Sequence, residues 1–159
     1  MRPVRPHLPK ADQGHGDYGT ATEPHFPGRS LRCAAITKET AMCTVLIVED
    51  DFAILFVAES CLRIKGYETV GAATQKDALS VLRSDHRVDV LFTDICLRGA
   101  KRAGLELAEK AVQLRPDLAV LYTTGGDVRS PMVVGGEFLA KPYTSNQLID
   151  AVGHLSETA

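Results

Sequence analysis

At 159 residues the chain has room for one ordinary domain, or for a smaller domain with a tail. Hydrophobic residues at 45% and charged residues at 24% fit a soluble globular protein, and no apolar run approaches the roughly 18–20 residues that span a bilayer. A formal net charge of −2 gives no footprint for direct nucleic-acid binding, and the basic opening MRPVRPHLPK lacks the apolar segment of a secretory signal. The expected location is cytoplasmic.

The averages hide a division. Residues 1–41 hold five of the eight prolines and three of the five histidines, with a net charge of +2. Residues 42–159 carry −4 and nearly all the Val, Leu and Ile. The first part cannot bury enough apolar surface to offset the entropy of ordering it, so it reads as a disordered N-terminal extension. The alternative is an over-extended reading of the gene, with Met42 as the true start. The domain is expected in residues 42–159, which suffice for one core. Cys33, Cys43, Cys61 and Cys96 show no C-x-x-C pair and no histidine at zinc-ligand spacing, so they read as reduced thiols.

Within that domain Thr44–Val48 is a short β-branched run cut off by three acids, the pattern of a buried strand. A helix is predicted from about Phe52 to Lys65, with Gly66 in the stop position. A second strand covers about Glu68–Ala72, and Thr74 with Asp77 opens a second helix that runs to about Ser84. Val88–Thr93 is the third strand, ending at Asp94. Leu105, Leu107, Ala108, Ala111, Val112 and Leu114 form a broad apolar helical face that Pro116 ends. Ala119–Thr123 is the fourth strand. The stretch Asp127–Gly136 is weakly patterned and predicts at most one turn of helix. Phe138–Ala140 makes a short fifth strand, and a last helix spans about Ser145–Leu155, capped by Ser145 or Thr144. Alternating strands and helices imply βαβ units and a doubly wound parallel sheet with helices on both faces.

The polar residues of interest all follow strands, on the carboxyl edge where sites form in such sheets. Glu49, Asp50 and Asp51 follow the first strand, Asp94 the third, Thr124 the fourth and Lys141 the fifth. Singly, each has a plain explanation: the acids could cap a helix, Asp94 begin a turn, Thr124 end a strand and Lys141 be a surface charge.

Together, the segments VLIVEDD, LFTDICL, VLYTTG and FLAKPY resemble the four signature segments of the response-regulator receiver family, in the right order. Asp94 precedes Thr124 by 30 residues, as that resemblance requires. The resemblance covers essentially all of 42–159 and implies a flavodoxin-like five-stranded sheet of order 2-1-3-4-5. It implies Asp94 as phosphoacceptor, with Mg²⁺ held by Asp50, Asp94, Glu49 through water, and the main-chain carbonyl of Cys96. Three converging carboxylates repel one another, and a hard divalent cation relieves that repulsion. Thr124, the Gly125 N–H and Lys141 would bind the phosphoryl group, and the Lys141-Pro142 peptide is expected to be cis. Phe138 stands at the aromatic switch position, with plain core packing as the other reading.

The implied partners are a histidine kinase or histidine phosphotransfer protein, and a downstream protein meeting the face made by the family's fourth helix (here segment 127–136), the fifth strand and the last helix. Neither nucleic acid nor a membrane is an expected partner, and no output domain is expected after the last helix. A phosphate sink draining the kinase is a close variant. A small phosphohydrolase with Asp94 as nucleophile is the rival, although Cys96 stands where haloacid-dehalogenase-type enzymes need a second acid. An interaction module without phosphorylation is a third reading.

Three departures from the family pattern stand out. Arg98 replaces the usual proline, in a loop that is longer than usual; Arg98, Lys101 and Arg102 make it basic, either as a solvated loop or as a partner contact. Only 16 residues separate Thr124 from Lys141, so helix 4 is expected to be short or irregular. The chain ends soon after the last helix.

Overall fold

The computed structural model describes residues 43–125 and 136–158. The expectations about residues 1–41 and, Gly136 apart, about the segment 127–136 therefore lie outside the described residues. Along the chain run β1 (Thr44–Val48), α1 (Phe52–Ile64), β2 (Glu68–Ala72), α2 (Gln75–Arg83), β3 (Val90–Asp94), α3 (Ala103–Leu114), β4 (Ala119–Thr124), β5 (Glu137–Ala140) and α4 (Ser145–Thr158). The five strands are all parallel, in the order β2-β1-β3-β4-β5. This is the doubly wound fold expected from the sequence, with four helices among the described residues.

The central strands are buried on both faces, which explains their continuous apolar runs. Alternate side chains feed two cores. Leu46, Val48, Leu91, Val120 and Tyr122 join α2 and α3 on one side, while Val45, Ile47, Val90, Phe92 and Leu121 meet α1 and α4 on the other. Helix α1 contributes Leu55, Ala58 and Leu62, and α4 contributes Leu148, Val152 and Leu155, each set at helical spacing. Burying a leucine as completely as Leu62 or Leu148 contributes roughly 2 kcal/mol.

The caps fix where the helices begin. Asp51 accepts from the N–H groups of Ala53 at 2.8 Å and Ile54 at 3.2 Å, so it alone of the three acids starts α1. Thr74 and Asp77 form the expected box: the Asp77 N–H donates to Thr74 Oγ1 at 3.1 Å, and the hydroxyl donates to Asp77 at 2.6 Å. Thr144, not Ser145, caps α4. Its Oγ1 accepts from the Gln147 N–H at 3.3 Å, and Gln147 Oε1 accepts from the Thr144 N–H at 2.8 Å. Replacing Asp51 with alanine should cost about 1 kcal/mol, read as a shift of the urea midpoint at unchanged slope.

Two boundaries differ from the sequence reading by more than one residue. β3 begins at Val90, because Asp89 turns its carboxylate back to accept from the Thr44 N–H at 2.8 Å. α4 continues past Leu155 to Thr158, since nothing in Ser156-Glu157-Thr158 breaks a helix.

Candidate functional site

The parallel ladder carries the site residues to one edge. Beyond the last paired residues, the Glu49 N–H donates to the Ala72 carbonyl at 3.2 Å, that of Ile95 to Thr123 at 2.9 Å, and that of Lys141 to Thr124 at 3.0 Å. Order 2-1-3-4-5 makes β1 and β3 neighbours, with connections leaving toward opposite faces, so the crevice opens between them.

Lys141 stands at its centre. Its ammonium donates to Asp94 Oδ2 at 2.6 Å and to Glu49 Oε2 at 2.7 Å. Glu49 is 5% exposed and Asp94 9%, so these are charges largely withdrawn from water. Burial by itself pushes the Lys141 pKa down, but the hydrogen bonds and charges of Asp94 and Glu49 outweigh it and hold the pKa above the ordinary lysine value. Asp94 Oδ1 accepts from the Cys96 N–H at 2.9 Å, which fixes the carboxylate plane. The Asp51 N–H donates to Glu49 Oε1 at 3.3 Å, and Asp50 Oδ2 accepts from the Arg98 N–H at 3.1 Å. The Lys141-Pro142 peptide is cis.

Glu49, Asp94, Cys96 and Lys141 are thus tied into one network, while Asp50 on the same edge is held by the Arg98 N–H. Thr124 ends β4 beside Lys141, and Gly125 follows it at the surface. Phe138 lies lower on β5, partly buried against the cluster that contains Tyr122.

Among the described residues no group of three or more His, Cys, Asp and Glu is arranged to hold a metal ion. Two of the acids are instead gathered around the Lys141 ammonium. The donor chemistry still suits a hard divalent cation: every candidate ligand atom is oxygen, and carboxylates outnumber the one ammonium on this edge. Asp50, Asp94, Glu49 and the Cys96 carbonyl are the residues that would hold it.

Two contributors, Gly104 and Tyr143, were not singled out from the sequence, and a third, Arg98, was noted only for its charge and for replacing a proline. Gly104 opens α3 directly on β3; a Cβ there would overlap the Asp94 carbonyl oxygen and come within 2.8 Å of Ile95 Cα. A glycine just ahead of an apolar helical run was the available signal. Arg98 enters through its main chain alone. Tyr143 packs edge-on against Phe92 with ring centroids 6.0 Å apart, and its buried hydroxyl has no hydrogen-bond partner.

Outside this edge, α1 presents Phe52, Phe56 and Val57 to solvent, all more than half exposed. Between α1 and the start of α4 lies a cleft of about 620 Å³, walled by Ile54, Val57, Cys61, Tyr143 and Leu148, with Lys141 at its lining.

The pKa directions give a sign for alkaline stability. Burial, with a smaller push from Asp89, raises the Cys43 thiol from 9.0 to about 11, and burial also raises Tyr67 and Tyr143. Each folded pKa lies above its unfolded value, so the stabilisation is complete below the unfolded pKa and lost as pH rises through the folded one. For Cys43 the loss spans pH 9 to about 11; for Lys141 it begins above the ordinary lysine value. Urea midpoints should therefore fall from pH 9 upward, and Cys43→Ser should flatten the curve between pH 9 and 11. An unchanged slope in that variant would contradict the assignment.

A parallel sheet whose switch point pairs Glu49 and Asp94 with Lys141, with Asp50 on the same edge, defines a flavodoxin-like domain with an acidic site. The sequence matches the response regulator receiver domain over residues 45–153. It is 28% identical over 125 residues to the C4-dicarboxylate transport transcriptional regulatory protein DctD of Rhizobium meliloti, covering 74% of this chain and 26% of that protein. It is 29% identical over 123 residues to nodulation protein W of Bradyrhizobium diazoefficiens, covering 73% of this chain and 52% of that protein. The chain thus spans about half or less of the length of these curated relatives. Among solved structures, a response regulator receiver protein from Sinorhizobium medicae superposes with a TM-score of 0.68 at 28% identity, over 74% of this chain and 97% of that one. The CheY-like receiver domain protein of Methanospirillum hungatei gives 0.67 at 28% identity, over 74% and 96%. The chain belongs to the response-regulator receiver family of two-component systems.

Proposed function

We propose that this receiver accepts a phosphoryl group on Asp94 from a phosphohistidine and changes its protein contacts in response. The observation that carries the reading is the pairing of Asp94, 9% exposed, with Lys141 at 2.6 Å on the carboxyl edge of a parallel sheet. An Asp94 carboxylate oxygen attacks phosphorus in line, the P–N bond breaks, and its electron pair leaves on the imidazole nitrogen. The transition state is loose and anionic, so it needs positioned positive charge and donors more than proton transfer.

Lys141 meets that need: its ammonium already sits on Asp94 and moves onto a phosphoryl oxygen. Thr124 donates its hydroxyl to another, with the Gly125 N–H beside it. Mg²⁺, held as described by Asp50, Asp94, Glu49 and the Cys96 carbonyl, would supply charge neutralisation for the carboxylates and the incoming phosphoryl oxygens. Water attack on the acyl phosphate returns the aspartate and ends the signal.

The phosphorylated side chain carries about −1.5 to −2 charge, where the free carboxylate carried a single one. Thr124 is drawn toward it, and Phe138 turns into the space that Thr124 leaves, altering the surface around β5 and α4. The remaining part of that surface, contributed by 127–136, lies almost wholly outside the described residues. The donor is a histidine kinase or histidine phosphotransfer protein. The exposed Phe52, Phe56 and Val57 beside the site give that donor apolar surface to bury while its histidine reaches Asp94. Among the described residues no helix is long and apolar enough to cross a membrane, and a cytoplasmic location suits a kinase partner. Whether the phosphoryl group drives an output or drains a kinase depends on the downstream protein.

The test is incubation with acetyl phosphate and Mg²⁺, followed by intact mass. A gain of one phosphoryl group that disappears on chelation supports the reading. No gain from acetyl phosphate or from a phosphorylated kinase contradicts it, and steady release of phosphate from a phosphoester would favour the hydrolase.

A further inference from the structure

The loop after β3 departs from the family at Arg98, and the structure shows what the departure does. Leu97, Arg98, Gly99 and Ala100 form a tight turn closed by the Ala100 N–H donating to the Leu97 carbonyl at 2.9 Å. Both central residues have positive φ, +50° at Arg98 and +77° at Gly99, the pattern of a type I′ turn. Gly99 adopts this freely. Arg98 does so against the clash of its Cβ, and it is the one non-glycine residue with positive φ among the described residues. Proline, locked near −65° and without an N–H, is excluded from that position in this turn.

Both ends of the turn are anchored. On one side Leu97 is 4% exposed within the α2–α3 core. On the other the Gly104 N–H donates to the Ile95 carbonyl at 3.1 Å and returns the chain against Asp94. So held, the turn aims the Arg98 N–H at Asp50 Oδ2, 3.1 Å away. Asp50 receives no such support from its own neighbours, since the α1 N–H groups of Ala53 and Ile54 go to Asp51.

We propose that Arg98 is a positioning residue for the divalent cation: its main-chain N–H, delivered by the positive-φ turn, holds one carboxylate oxygen of Asp50 and leaves the other oriented toward the metal. The proposal rests on the metal-dependent reading of the site. Carboxylates that bind metals are commonly fixed by such an outer hydrogen bond, and losing it typically weakens metal affinity about 10- to 100-fold.

The experiment compares Arg98→Gly with Arg98→Pro. Both remove the guanidinium, but only proline removes the N–H and forbids the turn. Affinity for Mg²⁺, by calorimetry, and for Mn²⁺, by electron paramagnetic resonance, is measured without any phosphodonor. Arg98→Gly should stay within about threefold of wild type, with Arg98→Pro 10- to 100-fold weaker. Equal affinities in the two variants overturn the positioning role while leaving the metal reading intact. A wild type that binds neither ion overturns both.

Should Arg98→Pro fail to fold, amide exchange in the wild-type background decides. The Arg98 N–H should exchange at least about tenfold faster in Asp50→Ala and stay protected in Asp50→Asn, whose amide oxygen still accepts. Identical exchange in both Asp50 variants overturns the proposal.

Discussion

Replacing Asp94 with asparagine should reduce phosphorylation at least about a thousandfold while leaving the fold in place. Asparagine is nearly isosteric but has no nucleophilic oxygen anion. Its effect on stability follows from the two partners of the native side chain. Asp94 Oδ1 accepts from the Cys96 N–H and Oδ2 from the Lys141 ammonium, so both oxygens face donors. An amide offers one acceptor and one donor, so it serves one neighbour and opposes the other. The favourable orientation keeps the Cys96 bond and leaves Lys141 to Glu49 alone, at 2.7 Å. The expected cost is about 1–2 kcal/mol, read from urea unfolding. Loss of labelling with a stability change in that range marks a chemical role. Full labelling of the variant would remove Asp94 from the mechanism.

The second large effect belongs to a residue that makes no chemical contact with the phosphoryl group. Gly104→Ala should destabilise the domain by about 3 kcal/mol and impair labelling as well. The new methyl has nowhere to go: it meets main-chain atoms of Asp94 and Ile95, not the tip of a movable side chain. Relief requires α3 to retreat from β3, which opens the core around Leu105 and Ala108, both at most 1% exposed. It also stretches the Gly104 N–H bond to the Ile95 carbonyl and so disturbs the backbone that presents Asp94. Chemical denaturation with parallel labelling measures both consequences. A cost below about 0.5 kcal/mol would mean that the close approach is not a constraint.

How far these features were legible in the sequence differs by residue, and the difference is physical. The strands announced themselves because both faces of the sheet are covered, which writes each central strand as an unbroken apolar run such as Val45-Leu46-Ile47-Val48. The helices followed from caps whose partners lie three residues away, as at Thr74 and Thr144. Local chemistry of that kind is readable from order alone. Three adjacent acids were a different matter: composition cannot say that Asp51 turns to the helix while Glu49 turns to Lys141, 92 residues away in sequence.

The loop after Asp94 was the least legible part. Nothing about an arginine forecasts φ of +50°, because that value is imposed by the anchoring of Leu97 and Gly104 on either side. Its extra length was visible, and its basic composition suggested a solvated loop or a partner contact. Its main-chain contact with Asp50 is a tertiary fact. The same holds for Tyr143, which follows Lys141-Pro142 in sequence but finds Phe92 on β3.

The central claim, that Asp94 is the residue that takes the phosphoryl group, has a direct test. After reaction with acetyl phosphate and Mg²⁺, borohydride reduces an acyl phosphate to an alcohol, which converts a phosphorylated aspartate to homoserine. Peptide mapping then locates the converted position. The account predicts homoserine at position 94, dependent on the donor, with Glu49, Asp50 and Asp51 unchanged. Conversion at one of those three acids, or labelled protein with no conversion at position 94, would contradict it.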